Sequence, residues 1–333
     1  MTQDLSGKTV FVTGGSGGLG KAIAKQLASR GAHITLLSRR SAPLEEAREE
    51  ILAICPQTSQ DVNIVTIDMG DAQAVVEAFK QQPRPADVLY CVAGGNHGQN
   101  GFFVDITAQD LEDCMRNNYY SSAFAAKSML EIWTADDAAR AKSARVPGAK
   151  ATGIQKHRQI IFINSAAAFL GLPGSIAYTP AKCAVRALAD TLRIEVNRYN
   201  CPESLYTIHI AFPGDFVSPG FMKEQETKVA LSKAIQGLNH PIEQLTAKFP
   251  SSEKVADLVI RAVDRGDFII CEDSLAASVL FSNMQGPSPK RGWGVVDALL
   301  APLVSWFVMP YMRWKWEGMT RADGEAMRRA RDA

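Results

Sequence analysis

Short apolar runs alternate with longer amphipathic stretches along most of the chain. The runs are about four to six residues long and lack a polar face, which is typical of strands buried on both sides of a parallel sheet. The strands predicted from them are Thr9–Val12, Ile34–Leu37, Asn63–Ile67, Asp87–Val92, Ile160–Asn164, Tyr206–Ala211 and Phe268–Cys271. The helices predicted between them are Lys21–Arg30, Pro43–Ile54, Ala72–Gln81, Leu111–Trp133, the helix with Tyr178 and Lys182, and Val255–Val263. This alternation predicts an α/β fold, a Rossmann-type doubly wound parallel sheet with helices on both faces.

Two segments interrupt the alternation. Thr134–Arg158 is rich in Ala, Lys and Arg and poor in large apolar residues, so we predict an exposed surface insertion whose basic side chains face solvent or touch a membrane surface. Residues 216–250 begin with an aromatic loop and continue as polar helical sequence, and we expect them to form a lid over a substrate. With both segments included, residues 1–275 are predicted to form one domain.

The segment Val295–Met312 is apolar throughout except for Asp297 at its edge. Aromatic and basic residues flank it: Lys290, Arg291 and Trp293 before it, and Arg313, Trp314, Lys315 and Trp316 after it. Trp beside Lys and Arg is typical of membrane interfaces. We therefore predict that residues 276–333 form a C-terminal extension whose apolar helix associates with a membrane, by spanning it, dipping into it or lying on it. The alternative is a core or subunit-interface helix, and Pro302 and Pro310 are expected to bend it.

Composition and charge narrow the range of partners. The 333 residues carry a net charge of +1, which gives no reason to expect nucleic acid or another polyanion. Hydrophobic residues make up 46% of the chain, enough for a large core. The six cysteines are scattered without a CxxC pair, which favours reduced thiols and argues against a metal site. The first strand begins almost at Met1 and leaves no room for a signal peptide, so we expect the chain to stay in a reducing compartment.

A glycine-rich loop, Thr13–Gly20, lies between the first predicted strand and the first predicted helix. Glycines allow the tight turn and let the backbone approach a pyrophosphate, and the N-terminus of the helix attracts that anion. This position in the chain favours a dinucleotide site over a simple glycine turn. The residues expected to contact the cofactor here are Gly14, Ser16, Gly17, Gly18, Leu19 and Gly20.

The end of the second predicted strand carries Ser38, Arg39 and Arg40, where a site for NAD normally offers a carboxylate to the ribose. An Arg there accommodates a 2′-phosphate, so the sequence favours NADPH. The alternative is that either Arg is a solvated charge at the start of a helix.

Two further loops are expected to contact the cofactor. Asp68, after the third strand, is placed to meet the adenine, or else to cap the helix that follows. Ala93 and Gly94 come after the fourth strand, where small residues let the backbone pass close to a ligand.

A hydroxyl, a phenol and an ammonium are predicted to meet at one end of the sheet. Ser165 follows the fifth strand, where open α/β sheets bind ligands, and Tyr178 and Lys182 are one helical turn apart on the next helix. Such a set polarises and protonates a carbonyl oxygen: Ser165 orients the oxygen, Tyr178 gives the proton, and Lys182 lowers the pKa of Tyr178 and holds the ribose. Asn118 is expected to hold a water or a backbone group behind Lys182, or only to bond locally. These four are the predicted catalytic residues.

With these motifs, residues 5–275 resemble the short-chain dehydrogenase/reductases. The resemblance rests on the glycine loop, the four predicted catalytic residues and the Pro213–Gly214 turn after the sixth strand. It implies that Pro213 and Gly214 also contact NADPH, and that no metal takes part. Where this superfamily has Asn-Ala-Gly after the fourth strand, the chain has Val92, Ala93 and Gly94.

Within that superfamily the chain most resembles the 3-ketodihydrosphingosine reductases, through the sequence around Asn118, the loop of residues 213–221 and the apolar C-terminal segment. The resemblance implies NADPH-dependent reduction of the long-chain ketone of a 3-keto sphingoid base in sphingolipid biosynthesis. It also implies a place at the endoplasmic reticulum membrane with the active site facing the cytosol, and a homo-oligomer, dimer or tetramer. One alternative is a reductase of a related long-chain or polyketide-derived ketone in secondary metabolism. The alternative from another class is a non-catalytic NADP-binding membrane scaffold.

Overall fold

Seven parallel strands form one sheet in the computed structural model, which describes residues 5–96, 98–144, 155–272, 277, 281–282, 292–312, 314–316, 318–319, 322 and 326. The strands are β1 (Thr9–Thr13), β2 (His33–Ser38), β3 (Val62–Thr66), β4 (Val88–Cys91), β5 (Lys156–Ile163), β6 (Ser204–Ala211) and β7 (Ile269–Ile270). Their order across the sheet is β3-β2-β1-β4-β5-β6-β7. Each strand pairs in parallel with its neighbours.

Helices cover both faces of this sheet. They are α1 (Gly18–Ala28), α2 (Ser41–Leu52), α3 (Ala72–Lys80), α4 (Ala108–Met115), α5 (Ser121–Ala144), α6 (Tyr178–Glu195), α7 (Pro219–Thr227), α8 (Ala230–Gln236), α9 (Ile242–Lys248), α10 (Ser252–Arg265) and α11 (Val295–Leu303). Side chains of a strand alternate between faces, so Val10 and Val12 pack with residues of α1, α2 and α10, whereas Phe11 packs with residues of α3, α5 and α6. Because both faces are covered, the central residues of the strands are mostly apolar and buried. The predicted doubly wound α/β fold is confirmed.

A crevice opens where the direction of winding reverses. Strand β1 lies between β2 and β4, so the loops that follow β1 and β4 leave the sheet side by side. A Cβ atom on Gly14 would lie only 2.9 Å from the backbone nitrogen of Ala93, which shows how closely the two loops approach. Doubly wound sheets bind ligands at such a point.

The helix predicted over Leu111–Trp133 is two helices joined by a wider turn. Helix α4 begins after Thr107, whose hydroxyl accepts a hydrogen bond from the Asp110 backbone at 3.1 Å while the Asp110 carboxylate accepts one from the Thr107 backbone at 2.8 Å. Residues Arg116–Tyr120 then form one turn of π-helix before α5 begins. Apolar periodicity does not separate a π turn from an α turn, so the sequence predicted one continuous helix.

The prediction of an exposed insertion over Thr134–Arg158 is wrong at both ends of this range. Helix α5 continues to Ala144, and β5 begins at Lys156, so that Arg158 is a buried strand residue with 1% of its side chain exposed. The guanidinium of Arg158 is 2.7 Å from the Asp137 carboxylate of α5 and lies over the Trp133 ring at 5.7 Å. Polar composition suggested solvent exposure, but these charges neutralise one another inside the fold. Residues 145–154 of the predicted insertion lie outside the described residues.

Residues 216–250 form the short helices α7, α8 and α9. Phe221, Leu238 and Leu245 join them in a small apolar cluster of their own. Hydrogen bonds tie the helices to the loop before α6: the Ser232 hydroxyl donates to the Pro173 carbonyl at 2.5 Å. The predicted polar helical stretch therefore packs against the segment that leads to Tyr178.

The apolar C-terminal segment is helical from Val295 to Trp316. Pro302 lies inside α11, and the turn that follows it, Val304–Val308, widens to a π-helix, as expected where a Pro removes a backbone donor. In the part of the chain that the structure describes, this is the one helix long and apolar enough to cross a membrane, with a mean hydropathy of 1.6 in its most apolar window. Only 11% of that window is buried, which sets it apart from a core helix.

Candidate active site

The glycine loop turns sharply because three positions require glycine. Gly14 and Gly18 have φ angles of 68° and 50°, a region that disfavours a side chain. The Gly14 nitrogen donates to the Leu37 carbonyl of β2 at 2.7 Å, which fixes the start of the loop. A Cβ on Gly20 would lie 2.3 Å from the Gly14 carbonyl oxygen, so only glycine lets α1 return this close to the loop.

The N-terminus of α1 is open to a ligand. A Cβ on Gly17 would meet nothing within 4 Å. No side chain caps this end, and the first turn has no acidic residue, so its backbone N–H groups remain available to an anion. The Ser16 hydroxyl lies beside this turn, 2.9 Å from the Ser38 hydroxyl, and Leu19 is buried in the core. This cradle has the shape and polarity that a pyrophosphate requires.

Basic side chains border the cradle at the end of β2. Arg39 Nη1 donates to Asn117 Oδ1 at 3.3 Å, and Arg40 is exposed at the start of α2. The Asp68 carboxylate accepts from the Gly70 nitrogen at 2.9 Å, but it does not cap α3, as the alternative interpretation predicted, because Asp71 is the residue that caps this helix. Its other oxygen is 3.9 Å from the Arg116 side chain.

The loop after β4 is held from two sides. The Thr13 hydroxyl accepts hydrogen bonds from the Val92 and Ala93 nitrogens at 2.9 and 3.0 Å. Gly94 has a φ of 152°, and a Cβ there would lie 2.7 Å from Asn118 Oδ1. Val92 stands where the superfamily has Asn. In this chain the contact made by that residue is the hydrogen bond from its backbone nitrogen to the Thr13 hydroxyl.

Asn118 lies in the π-helical turn and is fully buried. Its Oδ1 accepts from the Gly95 nitrogen at 2.9 Å, and its Nδ2 donates to the Gly95 carbonyl at 3.1 Å and the Cys114 carbonyl at 2.9 Å. The widened turn brings the amide of Asn118 to the loop after β4, so Asn118 fixes the backbone beside Lys182.

Ser165, Tyr178 and Lys182 meet at the carboxyl end of β5. Ser165 comes two residues after the end of this strand, and α6 begins at Tyr178. The Lys182 ammonium lies 5.4 Å from the centroid of the Tyr178 ring and donates to the Ile163 carbonyl at 3.3 Å. The Ser165 hydroxyl is close enough to the Tyr178 phenol to lower the pKa of Tyr178.

Burial changes the acidity of both groups on α6. It raises the pKa of Tyr178 far above the usual range, and the Glu224 charge adds to this, while the hydrogen bond from Ser165 acts in the opposite direction. Burial also lowers the pKa of Lys182 to about 8. The net shift of the Tyr178 pKa is thus opposite to the lowering expected from Lys182, because burial and the nearby carboxylates raise it. At neutral pH the phenol is held in its protonated form.

Asn164 positions two of these residues and was not predicted. Its Nδ2 donates to the Lys182 carbonyl at 3.0 Å, and its Oδ1 accepts from the Ser165 nitrogen at 2.9 Å. A polar residue at the end of an apolar strand, next to Ser165, was the signal for this role.

The Pro213–Gly214 turn follows β6 at the same edge of the sheet. The Pro213 carbonyl accepts from the Ala166 nitrogen at 3.0 Å, and the Gly214 nitrogen is 3.3 Å from the Glu272 carboxylate. Asp215 follows directly, and helix α7 carries Glu224, paired with Lys228 at 2.9 Å. Asp215, Glu224 and Lys228 were not among the site residues predicted from the sequence.

In the part of the chain with described structure, no group of three or more His, Cys, Asp or Glu side chains is arranged to hold a metal ion.

Comparisons with known proteins show which family the chain resembles. A family model described as short chain dehydrogenase matches residues 8–229. A 3-ketodihydrosphingosine reductase of Aspergillus fumigatus is 31% identical over 335 residues, which cover 93% of this chain and 84% of that protein. A 3-ketodihydrosphingosine reductase of Bos taurus is also 31% identical, over 268 residues that cover 79% of this chain and 70% of that protein.

Solved structures share the fold at lower identity. A short-chain dehydrogenase from Sphingobium yanoikuyae in complex with NADPH has a TM-score of 0.63 at 18% identity, covering 90% of this chain and 96% of its own. The L-sorbose reductase from Gluconobacter frateurii, complexed with NADPH and L-sorbose, has a TM-score of 0.61 at 21% identity, covering 82% and 97%. From the family model, the curated relatives and the fold together, the chain belongs to the short-chain dehydrogenase family.

Proposed function

We propose that this protein reduces the ketone of a 3-keto sphingoid base with NADPH, converting 3-ketodihydrosphingosine to dihydrosphingosine. The family is one of oxidoreductases that use a nicotinamide cofactor. The observation that carries the choice of substrate is the similarity to 3-ketodihydrosphingosine reductases along 93% of the chain, C-terminal segment included. The arrangement of Ser165, Tyr178 and Lys182 supports a ketone-reducing site.

The proposed mechanism assigns one task to each residue of the site. The bound cofactor supplies the hydride to the carbonyl carbon. Ser165 donates a hydrogen bond to the ketone oxygen, and Tyr178 gives that oxygen its proton, which the raised pKa of the phenol keeps in place until transfer. Lys182 has donors left beyond its bond to Ile163 and directs them at the ribose hydroxyls. Asn118 keeps the Gly95 backbone in position.

The residues that hold the cofactor in this proposal surround the crevice. The open N-terminus of α1 suits the pyrophosphate. The proposed contacts are Gly14, Ser16, Gly17, Gly18, Leu19, Gly20, Ser38, Arg39, Arg40, Asp68, Ala93, Gly94, Tyr178, Lys182, Pro213 and Gly214.

The substitution Arg39→Asp is expected to reverse the choice between the two nicotinamide cofactors. Loss of a charged hydrogen bond to the 2′-phosphate should raise the KM for NADPH about 10- to 100-fold, and the new carboxylate should lower the KM for NADH. Steady-state kinetics with both cofactors measure this. Arg84→Asp makes the same charge change at an exposed residue paired with Asp61, and should leave both values unchanged. Equal effects of the two substitutions would contradict a role for Arg39.

The membrane is the second proposed partner. Helix Val295–Trp316 exposes large apolar side chains, among them Trp306 with 77% of its surface exposed. Their exposure and the similarity to sphingolipid enzymes support a place at the endoplasmic reticulum membrane with the active site facing the cytosol. Protease protection and imaging of the tagged protein in cells test this localisation.

Trp306→Asp is expected to weaken binding to lipid vesicles by roughly 100-fold, because a carboxylate at an apolar membrane position costs on the order of 3 kcal/mol. Vesicle flotation measures the bound fraction. Leu52→Asp places the same charge at an exposed apolar residue of α2 and should leave binding unchanged. Retained flotation of the Trp306 variant would instead support a subunit-interface helix.

An NADPH-oxidation assay with 3-ketodihydrosphingosine tests the proposed function directly. We expect consumption of NADPH and formation of dihydrosphingosine by the full-length protein. A panel of polyketide-type ketones serves as the comparison, and preference for one of those would reject the sphingoid base as substrate. Cofactor binding without turnover of any ketone would favour the non-catalytic NADP-binding scaffold.

Self-association as a dimer or tetramer remains a prediction, which a light-scattering measurement of the molar mass tests.

A further inference from the structure

A small charged cluster lies in the lid near Tyr178. The Lys228 ammonium is 2.9 Å from the Glu224 carboxylate and donates to the Gln236 side chain at 2.8 Å. Only 3% of the Lys228 side chain is exposed, so this cation is fixed on Glu224. Asp215, from the loop after β6, belongs to the same cluster: its charge raises the pKa of Glu224, and the charge of Lys228 lowers the pKa of Asp215.

The cluster has one more negative than positive charge. Within the described residues, the Asp215 carboxylate makes no hydrogen bond and no ion pair. Lys228 and Lys248 both act on Asp215 at longer range, but Lys248 is exposed and donates to the Gly237 carbonyl at 3.5 Å. The buried positive charge of Lys228 is thus shared between two carboxylates, and one negative charge is left without a direct partner.

Burial raises the pKa of both Asp215 and Glu224, and Lys228 opposes this shift. Both carboxylates in turn help to raise the pKa of Tyr178. Asp215 comes two residues after Pro213, whose carbonyl accepts a hydrogen bond at 3.0 Å from the nitrogen of Ala166, the residue after Ser165. The start of the loop that carries Asp215 is therefore held beside the reacting groups. A carboxylate in this environment gains stability from any cation that enters with the substrate.

The lid brings these groups to the reacting centre. Ser232 is bonded to the Pro173 carbonyl, and Asn100 Nδ2 donates to the Thr227 hydroxyl at 3.1 Å, so α7 and α8 are joined to loops on either side of the crevice. At the other end, a Cβ on Gly18 would lie 3.4 Å from Ser218, the residue that caps α7. The charged cluster therefore lies between the dinucleotide cradle and the segment that carries Tyr178.

We propose that Asp215, supported by Glu224, binds the ammonium group that a 3-keto sphingoid base carries on the carbon next to its ketone. This inference rests on the proposed function. With the ketone oxygen on Ser165 and Tyr178, that ammonium lies one carbon away from the carbonyl and so close to the phenol. It supplies the positive charge that the cluster lacks.

Asp215 and Glu224 consequently determine which ketones the enzyme prefers. A neutral long-chain ketone would leave the Asp215 charge desolvated and unpaired, whereas an amino ketone satisfies it. The enzyme is therefore expected to prefer the amino ketone over the same ketone with hydrogen in place of the amino group. The preference in kcat/KM should be about 10- to 100-fold, the value of one charged hydrogen bond.

Substitution of the carboxylates tests the assignment with these two ketones. Asp215→Asn should lower kcat/KM for 3-ketodihydrosphingosine by about 10- to 100-fold and change that for the deaminated ketone by less than about 3-fold. Glu224→Gln should act in the same direction, with thermal unfolding measured in parallel because it leaves Lys228 without its ion pair. Asp257→Asn, at an exposed carboxylate of α10, is the matched control and should change neither value.

Each outcome is decisive. Equal losses for both ketones in Asp215→Asn would mean that the carboxylate acts through Tyr178 or the lid, and would overturn the inference. A wild-type enzyme that reduces both ketones equally well would overturn it while leaving the proposed function intact. If the wild type reduces only the deaminated ketone, or neither ketone, the proposed function itself fails. Should Asp215→Asn not fold, the wild-type preference between the two ketones decides.

Discussion

Tyr178→Phe is expected to lower kcat for ketone reduction by about 100- to 10,000-fold, the usual contribution of a positioned acid. The substitution removes only the phenolic oxygen, so the ring and its contact with Lys182 remain. Burial and Glu224 raise the pKa of this phenol, so Tyr178 keeps its proton across the neutral range and has it available for transfer. Steady-state assays with saturating NADPH and 3-ketodihydrosphingosine measure the loss.

Two controls separate chemistry from folding in this experiment. Tyr199→Phe removes a phenol that donates to Glu195 at 3.1 Å on the outside of the molecule, and full activity is expected. NADPH affinity of the Tyr178 variant, measured by fluorescence, should stay close to that of the wild type, since Lys182 and the glycine loop are intact. A Tyr178 variant that keeps its kcat would contradict the proposed proton donor.

Arg158→Met is expected to lower the free energy of unfolding by about 3 kcal/mol, because it removes the buried cation that contacts both Asp136 and Asp137. Asp136 then keeps Lys156 at 3.0 Å, and Asp137 keeps the longer contact with Arg140 at 3.8 Å. Arg158 contacts Asp136 and Asp137, and its Nε donates to the Ser204 hydroxyl at 2.8 Å. Ser204 also donates to Asp137, which softens the loss but does not replace the charge. Denaturant unfolding monitored by circular dichroism gives the free energy.

The control for this prediction is Arg261→Met, which breaks an exposed pair with Asp257 and should cost no more than about 0.5 kcal/mol. Adding Asp137→Asn to the Arg158 variant should recover part of the stability, because the uncompensated charge is then gone. If the double variant is less stable than Arg158→Met by the full effect of Asp137→Asn alone, the two residues are not coupled.

The same network sets a pH dependence. Burial opposes ionisation of Asp137, but hydrogen bonds from Tyr206, Ser204 and Arg158 outweigh it and lower the pKa of Asp137 below its ordinary 3.8. A carboxyl whose folded pKa is lowered contributes stability above its unfolded pKa and loses it as the pH falls through the folded value. The difference in stability between wild type and Arg158→Met should therefore shrink below about pH 4.

Sequence patterns predicted the elements of the fold well where the signal was local. The strands β1 to β6 appear within a few residues of their predicted bounds, because an apolar run between turn residues needs no distant partner to be recognised. The positions of Gly20 and of Ser165, Tyr178 and Lys182 followed in the same way from loop and helix spacing. The errors fell on Arg158 and on the π turn at Asn118, where local composition and periodicity point elsewhere.

The nature of the chemistry was thus determined by the order of residues along the chain: a glycine turn after a strand, an Arg at the end of β2, and a Tyr and Lys one turn apart. Three other features were decided only by tertiary structure. Asn118 finds its partner in Gly95, Arg158 is buried among acids of α5, and the charges of Asp215 and Glu224 raise the pKa of Tyr178. Each depends on contacts between segments far apart in sequence, and burial then determines whether a charge is solvated, paired or left for a substrate to neutralise.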